Sequence, residues 1–518
     1  MKHFSAAWLF LLVFYSIHAQ SKADHTMPLG YGGVADGMEP ELDGMLMHFG
    51  EGPAYVTPQT EQPMPTKPIA FICDSTGSLQ LYFNGCTLVN GQHQVIENSD
   101  SIDLGVTSEN ISFCQNDSTL EYFYQNALLL LLPGSDHIYY LFTLRNKPVN
   151  GIDCSLFYSV IDMSLNGGAG KVILKNHPTQ TIGLSPVALS SYISAVRHGN
   201  GRDWWIVCPT YSASRPRLVL LLSPAGLKEP FIWNPVGSPV VTFYVAGQIG
   251  FTGDGRRFFR AMPGAGVEIL DFNRCTGQFS NVQVISNLPD TAPFGDIAKM
   301  GLVSSPNGRF LYVTTGHKVF QFDLSASNIE ASRQLVGTFD GFISGENPAT
   351  FYQGFCAADG KIYFAGTKRT KHLHVVQQPN LAGLDCQFEQ HAFPLPAYQS
   401  FILPNFPNFR LLDLQDSPCD TLGIDLVNVQ GPDIPTGNIL RVDPNPSEGQ
   451  FQVHLPADFR GGTVQVYNAA GQPVFEEKIP QEYTYTITLN MQPNGLYWII
   501  LQNQDGRRAG YSKIMINR

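Results

Sequence analysis

Ser305-Pro306-Asn307-Gly308-Arg309-Phe310-Leu311-Tyr312-Val313 decides how this chain reads, because altered copies of it recur. Asn200-Gly201-Arg202 leads into Trp204-Trp205-Ile206-Val207, Asp254-Gly255-Arg256 into Phe258-Phe259, and Asp359-Gly360-Lys361 into Ile362-Tyr363-Phe364. Each copy is Asn/Asp-Gly, then a base, then an apolar aromatic run. The four glycines lie 54, 53 and 52 residues apart, a step regular enough to mark a repeated supersecondary unit. Weaker copies at Gly77 and Gly134 bring the series to six.

The second half of each unit repeats as well. Val267–Phe272 follows Gly255 and Val319–Leu324 follows Gly308; His374-Val375-Val376 follows Gly360, and Phe157–Met163 has the same shape earlier. Each unit is a turn, a buried strand, a connection, and a strand ending in Asp. About four strands per roughly 50 residues predicts a β-propeller of roughly seven blades, with six or eight as alternatives. The runs after each glycine are apolar at nearly every position, as strands covered on both faces require. The base after each glycine is expected at the strand entrance as a solvated or locally paired turn residue. Asn84-Gly85 is expected as a type I′ hairpin turn.

Composition agrees with an all-β chain. Only 14% of the 518 residues are charged, while Gly (49), Pro (36) and aromatics (12%) are plentiful. A net charge of −11 argues against nucleic acid or an anionic membrane as partner. Residues 1–19 read as a signal peptide: Met1-Lys2-His3, an apolar run, and small residues before a cut after Ala19. No later stretch approaches a transmembrane span. Nine cysteines in an exported chain permit disulfides and leave at least one unpaired, with Cys208 expected as a buried thiol. Pairing does not follow from spacing.

Residues 20–70 read as a leading segment with one or two strands that contributes to the first blade, and 71–423 as the propeller. After Cys419 the register changes: 424–437 is linker by composition, and 438–518 is a compact all-β domain of immunoglobulin-like sandwich type. Its strands are expected at Ile439–Val442, Phe451–Leu455, Thr463–Tyr467, Tyr483–Leu489, Leu496–Leu501 and Lys513–Ile516.

Asp443-Pro444-Asn445-Pro446-Ser447-Glu448-Gly449, Val464–Gly471, Asn494-Gly495-Leu496-Tyr497 and Lys513-Ile514-Met515-Ile516 occur in that order. In them the C-terminal part resembles the type A sorting domain of the type IX (Por) secretion system. Asp443 and Asn468 stand where that family usually has an aromatic residue and an Asp. The resemblance implies outer-membrane translocation, partnership with the secretion machinery and a sortase-like protease, and a surface or secreted destination. It places the sorting motif on Pro444, Asn445, Pro446, Gly449, Gly471, Gly495, Tyr497 and Lys513. The central part resembles the propeller-like repeat region that precedes this domain in Bacteroidetes surface proteins, a family without a defined activity.

No nucleophile elbow, zinc-protease, P-loop or EF-hand pattern is present, so no catalytic, cofactor or metal residue is assigned. His372-Leu373-His374 puts two imidazoles on one strand face, more in keeping with edge histidines than with a metal pair. His198, Arg202, Asp203 and Trp204 form the densest polar–aromatic group. They read either as a carbohydrate or peptide site, or as a blade turn closed by Arg202 and Asp203 with the Trp pair packed between blades. The expectation is an exported binding propeller for an unknown glycan or protein. The alternative is a glycan-active hydrolase or lyase, which would require carboxylates converging in the channel mouth.

Overall fold

The computed structural model describes residues 22–30, 44–50, 52–59, 69–85, 87–100, 102, 125–147, 153–179, 189–190, 192–210, 216–234, 247–286, 288, 299–399, 401–420, 422, 438–445, 447–456, 459–468, 473–489, 492–504 and 508–517. The signal peptide, the whole of the linker 424–437, Pro446 and Gly471 lie outside them. The chain divides into two compact units, Met1–Asp425 and Leu426–Arg518.

In the first unit, seven antiparallel meander sheets follow one another among the described residues, with a small two-stranded hairpin, Ile343–Ser344 and Asn347–Pro348, between the sixth and seventh. The first holds Thr26–Gly30, Gly44–His48 and Tyr55–Gln59, and the second Ala70–Cys73, Leu79–Phe83 and Leu88–Asn90. The third runs from Ala127–Leu131 through Ile138–Lys147 and Asp153–Asp162 to Lys171–Pro178. The fourth is built on Ser194–Arg197, Trp204–Pro209 and Arg217–Ser223, with Phe231–Trp233 on the last of these. The fifth comprises Ile249–Phe251, Arg257–Met262, Gly266–Phe272 and Phe279–Ile285. The sixth is Leu302–Ser304, Phe310–Thr314, Lys318–Asp323 and Gln334–Thr338; the seventh is Gly354–Cys356, Ile362–Phe364, Thr370–Val376 and Phe388–Gln399. The leading segment thus carries three described strands where its sequence suggested one or two.

The first strands of successive sheets lie side by side. Ala70–Cys73 touches Ala127–Leu131, and the first strands of the fourth to seventh sheets form a continuous row. Gln125 bridges Tyr192 in parallel, linking the third sheet to the fourth. The ring closes through the first sheet, which contacts both the last strand of the seventh and the first strand of the second. This is a β-propeller, and its strands are buried as blades require. Trp204–Pro209, Phe310–Thr314 and Ala127–Leu131 are buried at every position. At about 1.5–3 kcal/mol per large apolar side chain removed from water, such runs make ring closure favourable.

The turn units sit where the repeat requires. Gly77, Gly134, Gly201, Gly255, Gly308 and Gly360 all have φ between 70° and 92°. Four of the six are also crowded, and a Cβ on Gly255 would lie 2.6 Å from Leu411. The base is locally paired: Arg309 donates to Asp323 at 2.8 Å, and Arg202 to Asp203 at 2.7 Å. In the Gly255 unit the paired base is Arg257, opposite Asp271, and not the Arg256 aligned by sequence. Asn84-Gly85 is a correction. Only Gly85 has positive φ, because Asn84 Oδ1 accepts the Thr87 N–H at 2.8 Å and closes a longer loop than a two-residue turn.

After the seventh sheet, residues 401–420 cross the ring as a strap. Asn405 bridges Ala70 in parallel, and its N–H donates to Ile69 O at 2.9 Å. Further along, the Leu414 N–H donates to Gly199 O at 2.7 Å, and Cys419 forms a disulfide with Cys275 of the fifth sheet. Cys208 is fully buried in its strand.

The second unit is a sandwich. Five strands (Asn438–Ile439, Arg508–Ile516, Gly495–Asn503, Gly462–Tyr467, Pro473–Ile479) face three (Val442–Asp443, Gln450–His454, Thr484–Thr488) across one apolar core. Pro473–Ile479 was not anticipated: it starts at a proline, and its exposed Glu476-Glu477-Lys478 hides the alternation expected of an edge strand. Here Asn445 latches the final strand. Its Nδ2 donates to Lys513 O at 2.8 Å, and its Oδ1 accepts the Met515 N–H at 3.0 Å. Ser447 extends the zipper to Met515 and Asn517, while the Gly449 carbonyl accepts the Leu489 N–H. Tyr497 is buried, with its hydroxyl on Pro493 O at 2.7 Å. Lys513 lies over the Trp498 ring at 4.3 Å.

Candidate functional site

The inner strands converge on a cavity of about 580 Å³. Its walls are the first strands of the fourth to seventh sheets and the turns that follow them, Thr252–Asp254, Pro306 and Gly360 among them; the strap residues Pro404–Leu414 complete it. The repeated turn units therefore rim the site.

Three amide side chains among its lining residues are committed to backbone. Asn405 Nδ2 donates to Ala127 O and Ile193 O, each at 2.9 Å. Gln125 Oε1 accepts the Ile249 N–H at 2.7 Å. Gln248 Oε1 accepts from Leu302 N and Gly354 N, while its Nε2 donates to Gly354 O at 2.7 Å. Each amide joins different sheets, so the centre of the ring is tied together by buried polar groups with both ends satisfied. Phe251, Phe355 and Phe406 supply apolar wall.

Three arginines hold the strap. Arg197 donates to Gly201 O and Phe409 O, and stacks over Trp204 at 4.3 Å. Arg274 donates to Arg197 O, His198 O and Leu412 O. Arg410 of the strap pairs with Asp24. Burial, then the neighbouring Arg274, pulls Arg197 down to about 9. Arg274 is brought to about 10, chiefly by burial, with Asp254 and Asp413 acting against the shift and Arg256 adding to it. Both cations still outlast neutral pH, and carbonyl oxygens solvate them in place of water.

Two carboxylates line the cavity, Asp254 and Asp413. Asp254 Oδ1 accepts from Thr252 Oγ1 at 2.6 Å and Arg256 N at 3.0 Å, and so shapes the turn. Asp413 lies against Gly201.

The four residues grouped from sequence lie together at the turn of the fourth sheet. Asp203 is buried and accepts from Asn200 Nδ2 at 3.0 Å as well as from Arg202. His198 sits between Trp205, at 5.4 Å, and Cys275 O, at 3.1 Å, and burial lowers its pKa. Trp204 has no exposed surface and meets Phe409 edge-on, so its ring faces protein. Elsewhere, His372 Nδ1 contacts Ser344 Oγ, whereas His374 is buried and its Nδ1 accepts the His391 N–H.

Sequence reasoning passed over the strap arginines and the central amides. A signal for the amides existed: Gln125, Gln248 and Gln353 each fall within two residues of the start of a first strand.

Residues 441–517 match the secretion system C-terminal sorting domain family. The chain therefore carries a type IX export signal and is delivered to the cell surface or secreted. No curated protein matches the chain. Among solved structures it is similar to the Dos1 propeller, at 10% identity over 67% of this chain and 91% of that one, with a TM-score of 0.33. It is also similar to the GH43 protein BlXynB of Bacillus licheniformis (12%; 74% and 85% covered; TM-score 0.29). A third is an auxiliary nutrient binding protein of Bacteroides thetaiotaomicron (9%; 63% and 81% covered; TM-score 0.29). No helix among the described residues is long and apolar enough to cross a membrane.

Proposed function

We propose that the exported propeller is a binding module whose ligand seats at the strap-lined channel mouth. The observation that carries this is the commitment of the cavity's deep polar groups. Gln125, Gln248 and Asn405 spend their donors and acceptors on the inner strands, which leaves an apolar wall and a polar rim. A rigid, concave site of this size suits recognition.

A second reading, a glycan-active hydrolase, draws on Asp254 and Asp413 lining the same cavity. One experiment separates them: the purified chain is incubated with a glycan and matrix-protein panel, following saturable binding by calorimetry and product by reducing-end release. Binding with the ligand left intact is the expected result. Product that disappears in both Asp254→Asn and Asp413→Asn would overturn the binding reading in favour of the hydrolase.

A further inference from the structure

Beside the channel mouth, and continuous with it through Thr252, Asp254, Arg256, Arg274 and Leu414, runs a groove of about 890 Å³. It is bounded by turns of the fifth and sixth sheets and by the strap from Leu414 to Pro418. Four arginines line it, Arg256, Arg257, Arg274 and Arg309, in a chain whose net charge is −11.

Asp271 is taken by Arg257 and by Asn281 Nδ2 at 2.7 Å, Asp254 by its own turn, and Arg309 by Asp323. The third carboxylate of the lining, Asp416, stands exposed on the strap. Arg274 donates to backbone carbonyls, and the exposed Arg256 guanidinium makes no hydrogen bond or ion pair among the described residues. Arg274 already has the charges of Asp254 and Asp413 acting on it, which leaves Arg256 as the uncommitted cation of the lining. Asn273 and Asn307 both turn their Oδ1 inward, onto Cys275 N at 2.9 Å and Arg309 N at 3.1 Å. Their amide N–H₂ groups remain as donors. Arg256, Asn273 and Asn307 thus hold uncommitted nitrogen donors in the groove, beside the exposed Asp416 carboxylate.

We propose that this groove binds the anionic group of an acidic glycan, with Arg256 as its anchor. The inference rests on the binding reading above and adds the ligand's chemical class. A glycan fits better than an acidic peptide, because the walls are mainly turns and strand ends, and Ser280 alone in the lining lies on the edge strand Phe279–Ile285, too short a stretch for main-chain pairing. The exposed Asn273, Ser280, Asn307 and Gln415 match a polyhydroxylated chain.

The test titrates the full purified chain with hexagalacturonic acid, the neutral galactose hexamer and hexaglutamate by calorimetry, at low and high salt. The uronate should bind, the neutral sugar at least about tenfold more weakly, and the uronate affinity should fall with salt. Arg256→Gln should lose roughly tenfold or more in uronate affinity with melting unchanged, and Arg256→Lys should recover part of it. Equal binding of uronate and neutral hexamer, with Arg256→Gln silent, overturns the anion site while leaving a binding module. Hexaglutamate bound as tightly as uronate overturns the glycan assignment, and failure of uronate to bind at millimolar concentration overturns the inference outright. Cleavage of the bound uronate would instead sink the non-catalytic reading and leave the anion site standing.

Discussion

Gln125 and Asn405, 280 residues apart in the chain, are hydrogen-bonded at the centre of the ring, Gln125 Nε2 donating to Asn405 Oδ1 at 3.2 Å. The pair joins the entrance of the third sheet to the strap that closes the propeller, so ring closure depends on polar groups as well as on packing between blades.

Asn405→Ala should therefore destabilise far more than a typical loop substitution. It strips the Ala127 and Ile193 carbonyls and one Gln125 N–H of their partner in a buried place. At about 1–3 kcal/mol for each orphaned group, with partial relaxation, a loss of about 2–4 kcal/mol is expected in chemical denaturation. A change within about 0.5 kcal/mol, the range of ordinary surface substitutions, would remove Asn405 from the closure mechanism.

The repeated glycines should respond unequally to alanine. Gly255 and Gly360 share a left-handed backbone, with φ of 70° and 79°. A Cβ at Gly255 would lie within 2.9 Å of Leu411, Arg274 and Val196, whereas one at Gly360 meets nothing within 4 Å. Gly360→Ala should cost about 1–2 kcal/mol of backbone strain alone. Gly255→Ala adds overpacking of about 1–3 kcal/mol and should also disturb strap contacts. Equal melting temperatures for the two variants would contradict this ranking.

Acid should act through His374. Its imidazole is buried between Phe351 and Phe388, and burial, aided by the nearby His391, pulls its pKa from 6.5 to about 3. The unfolded chain then binds the proton first, so stability is full above about pH 6.5 and is lost as pH falls toward about 3. In His374→Phe the slope of unfolding free energy against pH across that window should shrink by up to one proton. An unchanged slope would show that His374 is not the group responsible.

In the sorting domain, Asn445→Ala removes both hydrogen bonds that pin the loop to the last strand. Faster hydrogen exchange at the Met515 amide is expected, together with reduced surface delivery and intracellular or periplasmic retention on fractionation. Normal delivery with a loosened strand would mean that the latch is structural only. Wild-type delivery after deletion of 438–518 would refute the export signal itself.

The repeat, the blade and the sorting motif were readable from residues because they are local. An Asn/Asp-Gly turn and the apolar run behind it are complete within about ten residues, and repetition amplifies the signal. At the turns the residues alone left open whether each base is solvated or paired. Arg256 and Arg257 are adjacent bases, and only the ladder register puts Arg257 opposite Asp271.

The sequence by itself determined the architecture: all-β, a ring of repeated sheets, and an export domain at the end. Tertiary structure alone decided where a ligand could sit. Residues 401–420 carry no period, yet they reach Asp24, Ile69, Arg197, Gly199, Arg274 and Cys275. Those contacts span 138 to 386 residues, and the side chains that make them—arginines on carbonyls, an asparagine on inner strands—resemble ordinary loop residues until the ring brings their partners together. The turn around Gly308 builds a blade. The strap turns the gap between such turns into a cavity.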